Sequence, residues 1–162
     1  MKRKLEYMLI HDIHDTLSVG QAFGRFPLHL TVVPWFALSE DASEESTVSS
    51  ISQFTQDLAP MTFVGAKRDK FGPDLDIPVT MLEKTDSLTR LHVGLIAVSG
   101  VTVDSQFIGI NDYHPHISDT DDDRFEVGQE QSLGELTLVR RTDSSSNRKV
   151  VARLTLGAGE LV

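Results

Sequence analysis

Apolar residues along this chain recur with two different periods. Val48, Ile51, Phe54 and Leu58 stand three or four positions apart, the spacing of one face of a helix. They follow an Asp41-to-Glu44 spacing that resembles a capping box and precede Pro60, which should end the segment. A second helical set, Leu88, Leu91, Leu95 and Val98, follows the candidate caps Thr85 and Asp86 and runs to Gly100, where a left-handed residue readily closes a helix. Elsewhere the apolar residues come in short runs rich in valine, isoleucine, leucine and threonine: "EYMLIHD", "LHLTVVPWF", "MTFVGAK", "IPVTMLE", "YHPHIS", "GELTLVRR" and "KVVARLTL", each of which reads as a strand. The last two flank "TDSSSN", as the arms of a hairpin flank a polar loop. About seven strands and two helices that never alternate one for one predict an α+β fold with mainly antiparallel sheets. A doubly wound nucleotide-binding fold loses on this pattern, and the chain has no GxGxxG or Walker loop to support one.

Composition narrows the function. With 162 residues, 40% of them hydrophobic, the chain is one folding unit over 1–162 with a core of its own. A formal net charge of -9 repels polyanions and argues against a binder of long nucleic acid, while leaving room for a small anionic ligand in a locally positive pocket. The absence of cysteine removes disulfides, thiolate metal sites and a cysteine nucleophile. The basic start "MKRK" leads into an apolar run, Tyr7 to Ile10, that His11 and Asp12 interrupt; it is too short for a secretory core or a membrane span. A cytoplasmic, monomeric protein with no membrane partner is the expectation.

The chemistry is concentrated in two short motifs. In "FPLHLTVVPWF" the strand carries His29 and, two places on, Thr31; in "YHPHISD" it carries His116 and, two places on, Ser118. A period of two puts each imidazole and its hydroxyl on the same face of a strand, with Leu30 and Ile117 on the other. A lone histidine in a strand is more often packed or hydrogen-bonded than catalytic. Two copies in separate halves, each in an apolar strand, change that balance, because apolar strands seldom bury an imidazole without use for it. Brought together, the two strands would make a four-group polar site.

The paired motifs "HLT" and "HPHIS" resemble those of the 2H phosphoesterase superfamily, which includes the so-called 2',5'-RNA ligases and cyclic nucleotide phosphodiesterases. The resemblance extends to "MTFVGAKRDKFG", to the helix "DSLTRLHVGLIAVSG" before the second motif, and to the closing "SLGELTLVRRTDSSSNRKVVARLTLG", so that it covers the chain from about Leu5 to Gly157. Ser118 stands where threonine is commoner; the hydroxyl is kept and a rotamer-restricting methyl is lost. The resemblance implies two pseudo-symmetric lobes about a central cleft, with the two principal helices outside. It implies His29 and His116 as the catalytic acid and base, and Thr31 and Ser118 as donors to the substrate phosphate. It also implies a metal-independent reaction without cofactor on a cyclic phosphate or 2',5' linkage of a small nucleotide or RNA end, reversible as ligation.

Other residues have to be weighed beside these. Trp35, Tyr113 and Phe71 are candidates for a base-stacking pocket, with core packing the competing role of each. Lys67, Arg68 and Lys70 would attract phosphate or simply form a solvated basic loop. His11 and His14, in "HDIHD", invite a metal, but an i,i+3 pair on a strand points to opposite faces. His114 shares a face with His116 if the strand is straight, and His92 reads as a partly buried helix residue. Two further readings compete with an enzyme: a module that binds nucleotide or phosphate in the same cleft without turning it over, and a protein whose two histidines are structural and lie far apart.

Overall fold

The computed structural model describes residues 5–98, 101–103, 113–142 and 146–157. Ten strands and two helices follow in the order β1 (Leu5–Asp12), β2 (Ala22–Phe23), β3 (His29–Leu38), α1 (Glu44–Gln56), β4 (Met61–Phe71), β5 (Ile77–Leu82), α2 (Asp86–Ala97), β6 (Val101–Val103), β7 (His116–Ser118), β8 (Glu130–Leu133), β9 (Glu135–Thr142) and β10 (Arg148–Thr155). All seven predicted strands are present within these bounds, and the fold is α+β with antiparallel pairing throughout. Three strands went unpredicted. β2 and β6 are too short to show a period, and β8, "EQSL", is polar because only Leu133 along it is buried. "YHPHIS" forms a strand only over its last three residues, since Pro115 has no N–H to donate to a ladder.

The strands form one sheet in the order β2-β10-β9-β1-β3-β7-β5-β4-β8, with β6 also on β3. β3 and β7, which carry the two histidine motifs, are neighbours at its middle. The chain's two ends lie on one side, as β1, β9 and β10, and its central strands β4, β5 and β8 on the other.

Both helices cover one face of the sheet. Ile51 of α1 and Leu88, Leu91 and Leu95 of α2 join Leu9, Leu30, Val32, Phe36, Phe63, Leu82 and Ile117 in the main core. The cap of α1 is Ser43, two residues beyond the predicted Asp41, because Ser43 and Ser46 satisfy each other's backbone N–H groups at 3.0 Å in a reciprocal box. Thr85 caps α2 as predicted, and Val98 closes it; Gly100 lies outside the described residues. The helices touch where Gly94 meets the Phe54 ring, an approach that a side chain on residue 94 would obstruct. Across the sheet a smaller cluster of Met8, Ile10, Leu17, Val139 and Val150 packs with Phe23, Phe26 and Trp35. Among the described residues no helix is long and apolar enough to cross a membrane.

Candidate active site

Strand parity and register build the site. Leu30 of β3 pairs with Ile117 of β7, and both are completely buried on the helix side of the sheet. One step along an antiparallel ladder in either direction sets His29 beside Ser118 and Thr31 beside His116, all four on the opposite face. Residues directly across such a ladder have Cβ atoms about 5 Å apart and diagonal ones about 7–8 Å. The imidazoles therefore occupy one diagonal of a small square and the hydroxyls the other. All four side chains are half-buried.

Each imidazole is oriented in the same way. His29 Nδ1 lies 2.9 Å from the Pro27 carbonyl and His116 Nδ1 2.8 Å from the His114 carbonyl, in both cases the residue two places earlier. A carbonyl can only accept, so Nδ1 carries the proton and Nε2 of the neutral ring is left as the basic nitrogen. In His29 that Nε2 is 3.2 Å from the Thr31 hydroxyl. The residues just before the histidines are fixed as a pair too: the Leu28 carbonyl accepts from Ile13 N–H and the Pro115 carbonyl from Leu82 N–H. A phenylalanine also lies against each imidazole, Phe26 at 4.7 Å from His29 and Phe71 at 4.3 Å from His116, ring centre to ring centre.

The surroundings disfavour the charged form of both rings. Burial holds the His29 pKa below the ordinary histidine value, and the nearby charges of His116 and Arg148 act in the same sense, against the Pro27 carbonyl and Asp12. Burial also lowers His116, aided by His114 and opposed by the carbonyl of that residue. An open cavity of about 470 Å³ adjoins the square, with His29, Ser118, Phe26, Asp119 and Arg148 in its wall.

The remaining candidates go to several places. Phe71 lies against His116. Trp35 lies under the Arg141 guanidinium, 3.8 Å from its ring centre, and 6.3 Å from Phe26, so Arg141 already covers one of its faces. Tyr113 is a correction to the stacking candidates. Its ring lies parallel to His92 at 4.0 Å in the interior, with 8% of the residue exposed, and this leaves no face for a base. His92 is likewise deeper than predicted, with Nδ1 donating to the Val32 carbonyl at 2.7 Å.

Arg68 is committed elsewhere as well: it grips both Asp119 carboxylate oxygens, at 2.7 and 2.6 Å, and the Thr80 hydroxyl at 2.8 Å. It thereby anchors the residue next to Ser118 without presenting a free charge. His11 and His14 do not converge. His11 lies between the Glu135 carbonyl and Gln131, whereas His14 reaches Asp123. Sequence reasoning missed Phe26 and Arg148. Phe26 was visible three places before the first histidine; Arg148 is brought in from the far end of the chain and had no local signal.

No protein-family model and no curated protein matches the chain. Among solved structures it is similar to E. coli LigT complexed with NADP+, with a TM-score of 0.59 and 13% identity over 96% of this chain and 99% of that one. It is similar also to TT0787 of Thermus thermophilus, with a TM-score of 0.57 and 14% identity over 99% and 100% of the two chains. A third likeness is to a structure described as a phosphoesterase, with a TM-score of 0.51 and 17% identity over 96% and 99%. LigT is also solved with 3'-AMP, with ATP and with phosphate. The likeness is one of fold, and it is the LigT-like fold that the resemblance to the 2H phosphoesterases implied.

Proposed function

We propose that this chain is a phosphoesterase that opens a cyclic phosphate, or cleaves a 2',5' linkage, in a nucleotide or at an RNA end. His29 and His116 are its acid and base, and Thr31 and Ser118 its donors to the phosphate. The observation that carries the reading is the crossed square, with both Nδ1 protons held by backbone carbonyls. That arrangement fixes two basic nitrogens on one face of the sheet with a hydroxyl beside each.

In hydrolysis one Nε2 takes a proton from water while the water oxygen bonds to phosphorus, and the protonated Nε2 of the other ring supplies the proton to the ester oxygen as its bond to phosphorus breaks. Each transfer contributes about 10²–10⁴ in rate. Thr31 and Ser118 hydrogen-bond the non-bridging oxygens and hold phosphorus in line between the rings. Both proton carriers are side chains of the protein, and the step as written calls on no metal. Ligation is the same path in reverse with the two histidines exchanging roles, so the assignment of base and acid follows the direction in which the substrate lies. Phe71 and Phe26 flank the square and offer apolar surface to a base or ribose. The net charge of -9 favours a small substrate or a terminus over a long polymer.

The test is hydrolysis of a panel of 2',3'-cyclic nucleotides in a metal chelator by wild type, His29→Ala and His116→Ala. Turnover that persists in chelator and falls about 10²-fold or more in each variant supports two-histidine catalysis. If the double variant is worse by the product of the two single effects, the histidines are not acting in one step. Nucleotide binding by wild type without turnover of any member would leave the binding module as the better reading.

A further inference from the structure

Six arginines in the described residues pair with a carboxylate: Arg25 with Asp121, Arg68 with Asp119, Arg124 with Glu126, Arg140 with Glu44, Arg141 with Glu6, and Arg153 with Asp15 and Glu135. Arg90 is exposed on α2. Arg148 differs from all of these. It is half-buried, lines the cavity beside His29 and Ser118, and has no carboxylate partner among the described residues.

Its guanidinium is nevertheless fixed. Nη1 donates to the Gly24 carbonyl at 2.6 Å and to the Ser146 carbonyl at 3.2 Å. Its central carbon lies 4.5 Å from the centre of the Phe26 ring, the same ring that packs on His29. Nε is buried with no acceptor. Directly across the ladder from Arg148 is Arg141, and like charges so placed repel; Arg141 has Glu6 as its ion-pair partner. This corner therefore holds one uncompensated positive charge, partly withdrawn from water, in a chain whose net charge is -9. Carbonyl contacts and a ring face hold a guanidinium in place without cancelling its charge. An anion seated in the cavity beside the guanidinium would cancel that charge.

From this we infer that Arg148 is a substrate-binding residue that holds a second phosphate, distinct from the one between the imidazoles and on the His29 side of it. The inference rests on the proposed function for the first phosphate only. Among the described residues the hydrogen bonds and ring contact of Arg148 go to Gly24, Ser146 and Phe26 and not to Thr31, His116 or Ser118. A group bound to it accordingly lies outside the square. The substrate class is a nucleotide or RNA end with phosphate on two of its positions.

The experiment is equilibrium binding, at fixed ionic strength, of adenosine 3',5'-bisphosphate and of 3'-AMP to wild type, Arg148→Gln and Arg148→Lys. The affinity ratio is taken within each protein, so that loss of folded material affects both ligands equally. Wild type should prefer the bisphosphate tenfold or more. The preference should fall toward unity in the glutamine variant and be restored in part by lysine, which keeps the charge but not the guanidinium. A ratio near one in wild type, or an undiminished ratio in Arg148→Gln, overturns the proposal; if the glutamine variant does not fold, an undiminished ratio in Arg148→Met overturns it. Binding separates this inference from the catalytic one. An Arg148-dependent preference without any turnover would sink the proposed reaction and leave the second-phosphate site standing, and turnover without the preference would do the reverse.

Discussion

Ile117→Ala tests the parity on which the whole site depends. Ile117 is fully buried and lies opposite Leu30, also fully buried, in a strand of three residues held between β3 and β5. The substitution removes three buried carbons, at about 0.8 kcal/mol each. With the cavity left behind, the expected loss is about 3–4 kcal/mol, inside the range for such truncations and within the stability of an ordinary domain. His116→Ala and Ser118→Ala, one step to either side but on the cleft face, should each cost about 1 kcal/mol or less while abolishing most activity. Leu30→Ala should match Ile117→Ala. The pair combined should deviate from additivity, by about 0.5 kcal/mol or more, because the two side chains share one cavity.

The assay is urea unfolding followed by two probes at about pH 7.5, above the ordinary histidine value. There His11, His29 and His116, all held low by burial, are neutral in the native and unfolded chains alike. Stability is lost only as pH falls below that value, where the unfolded chain takes up protons that the native one resists. A loss under about 1 kcal/mol for Ile117→Ala, or a larger one for Ser118→Ala, would mean that Ile117 does not face the core. The motif residues would then not face the cleft, and the argument for the square would fail.

Two further outcomes are expected. Because burial holds both His29 and His116 below the ordinary value, kcat/KM should be bell-shaped with its maximum below about pH 6.5. It should rise with pH as the base loses its proton and decline above the second pKa as the acid does; a maximum above about pH 7 would refute the depressed values. Arg68→Gln leaves Asp119 without its two-pronged partner beside Ser118, and kcat should fall about tenfold through misplacement of that hydroxyl, with partial recovery in Arg68→Lys. Unchanged steady-state kinetics would show that the pair does not position the site.

Much of this molecule was legible from one dimension. The strands announced themselves wherever one face is buried in the core, because burial on one side of a pleat imposes alternation, and both helices appeared through their apolar stripes. β8 stayed hidden for the same reason, since it buries only Leu133. The four candidate residues stood out because their spacing is local: imidazole and hydroxyl two apart share a face in any strand, whatever that strand pairs with.

By itself the sequence determined which side chains share a face and that the chain carries two such pairs of polar groups in apolar settings, because period and propensity act over a few residues. Only the tertiary structure decided that β3 and β7 are neighbours, and that their register crosses His29 with Ser118 and Thr31 with His116. It alone sent Tyr113 into the core against His92, gave Arg68 to Asp119, and set Arg148, from the far end of the chain, on the same cavity wall as His29. Pairing, register and the matching of charges between distant segments depend on which surfaces meet when the core closes. That is settled by the packing of the whole chain and leaves no periodic mark at any one place along it.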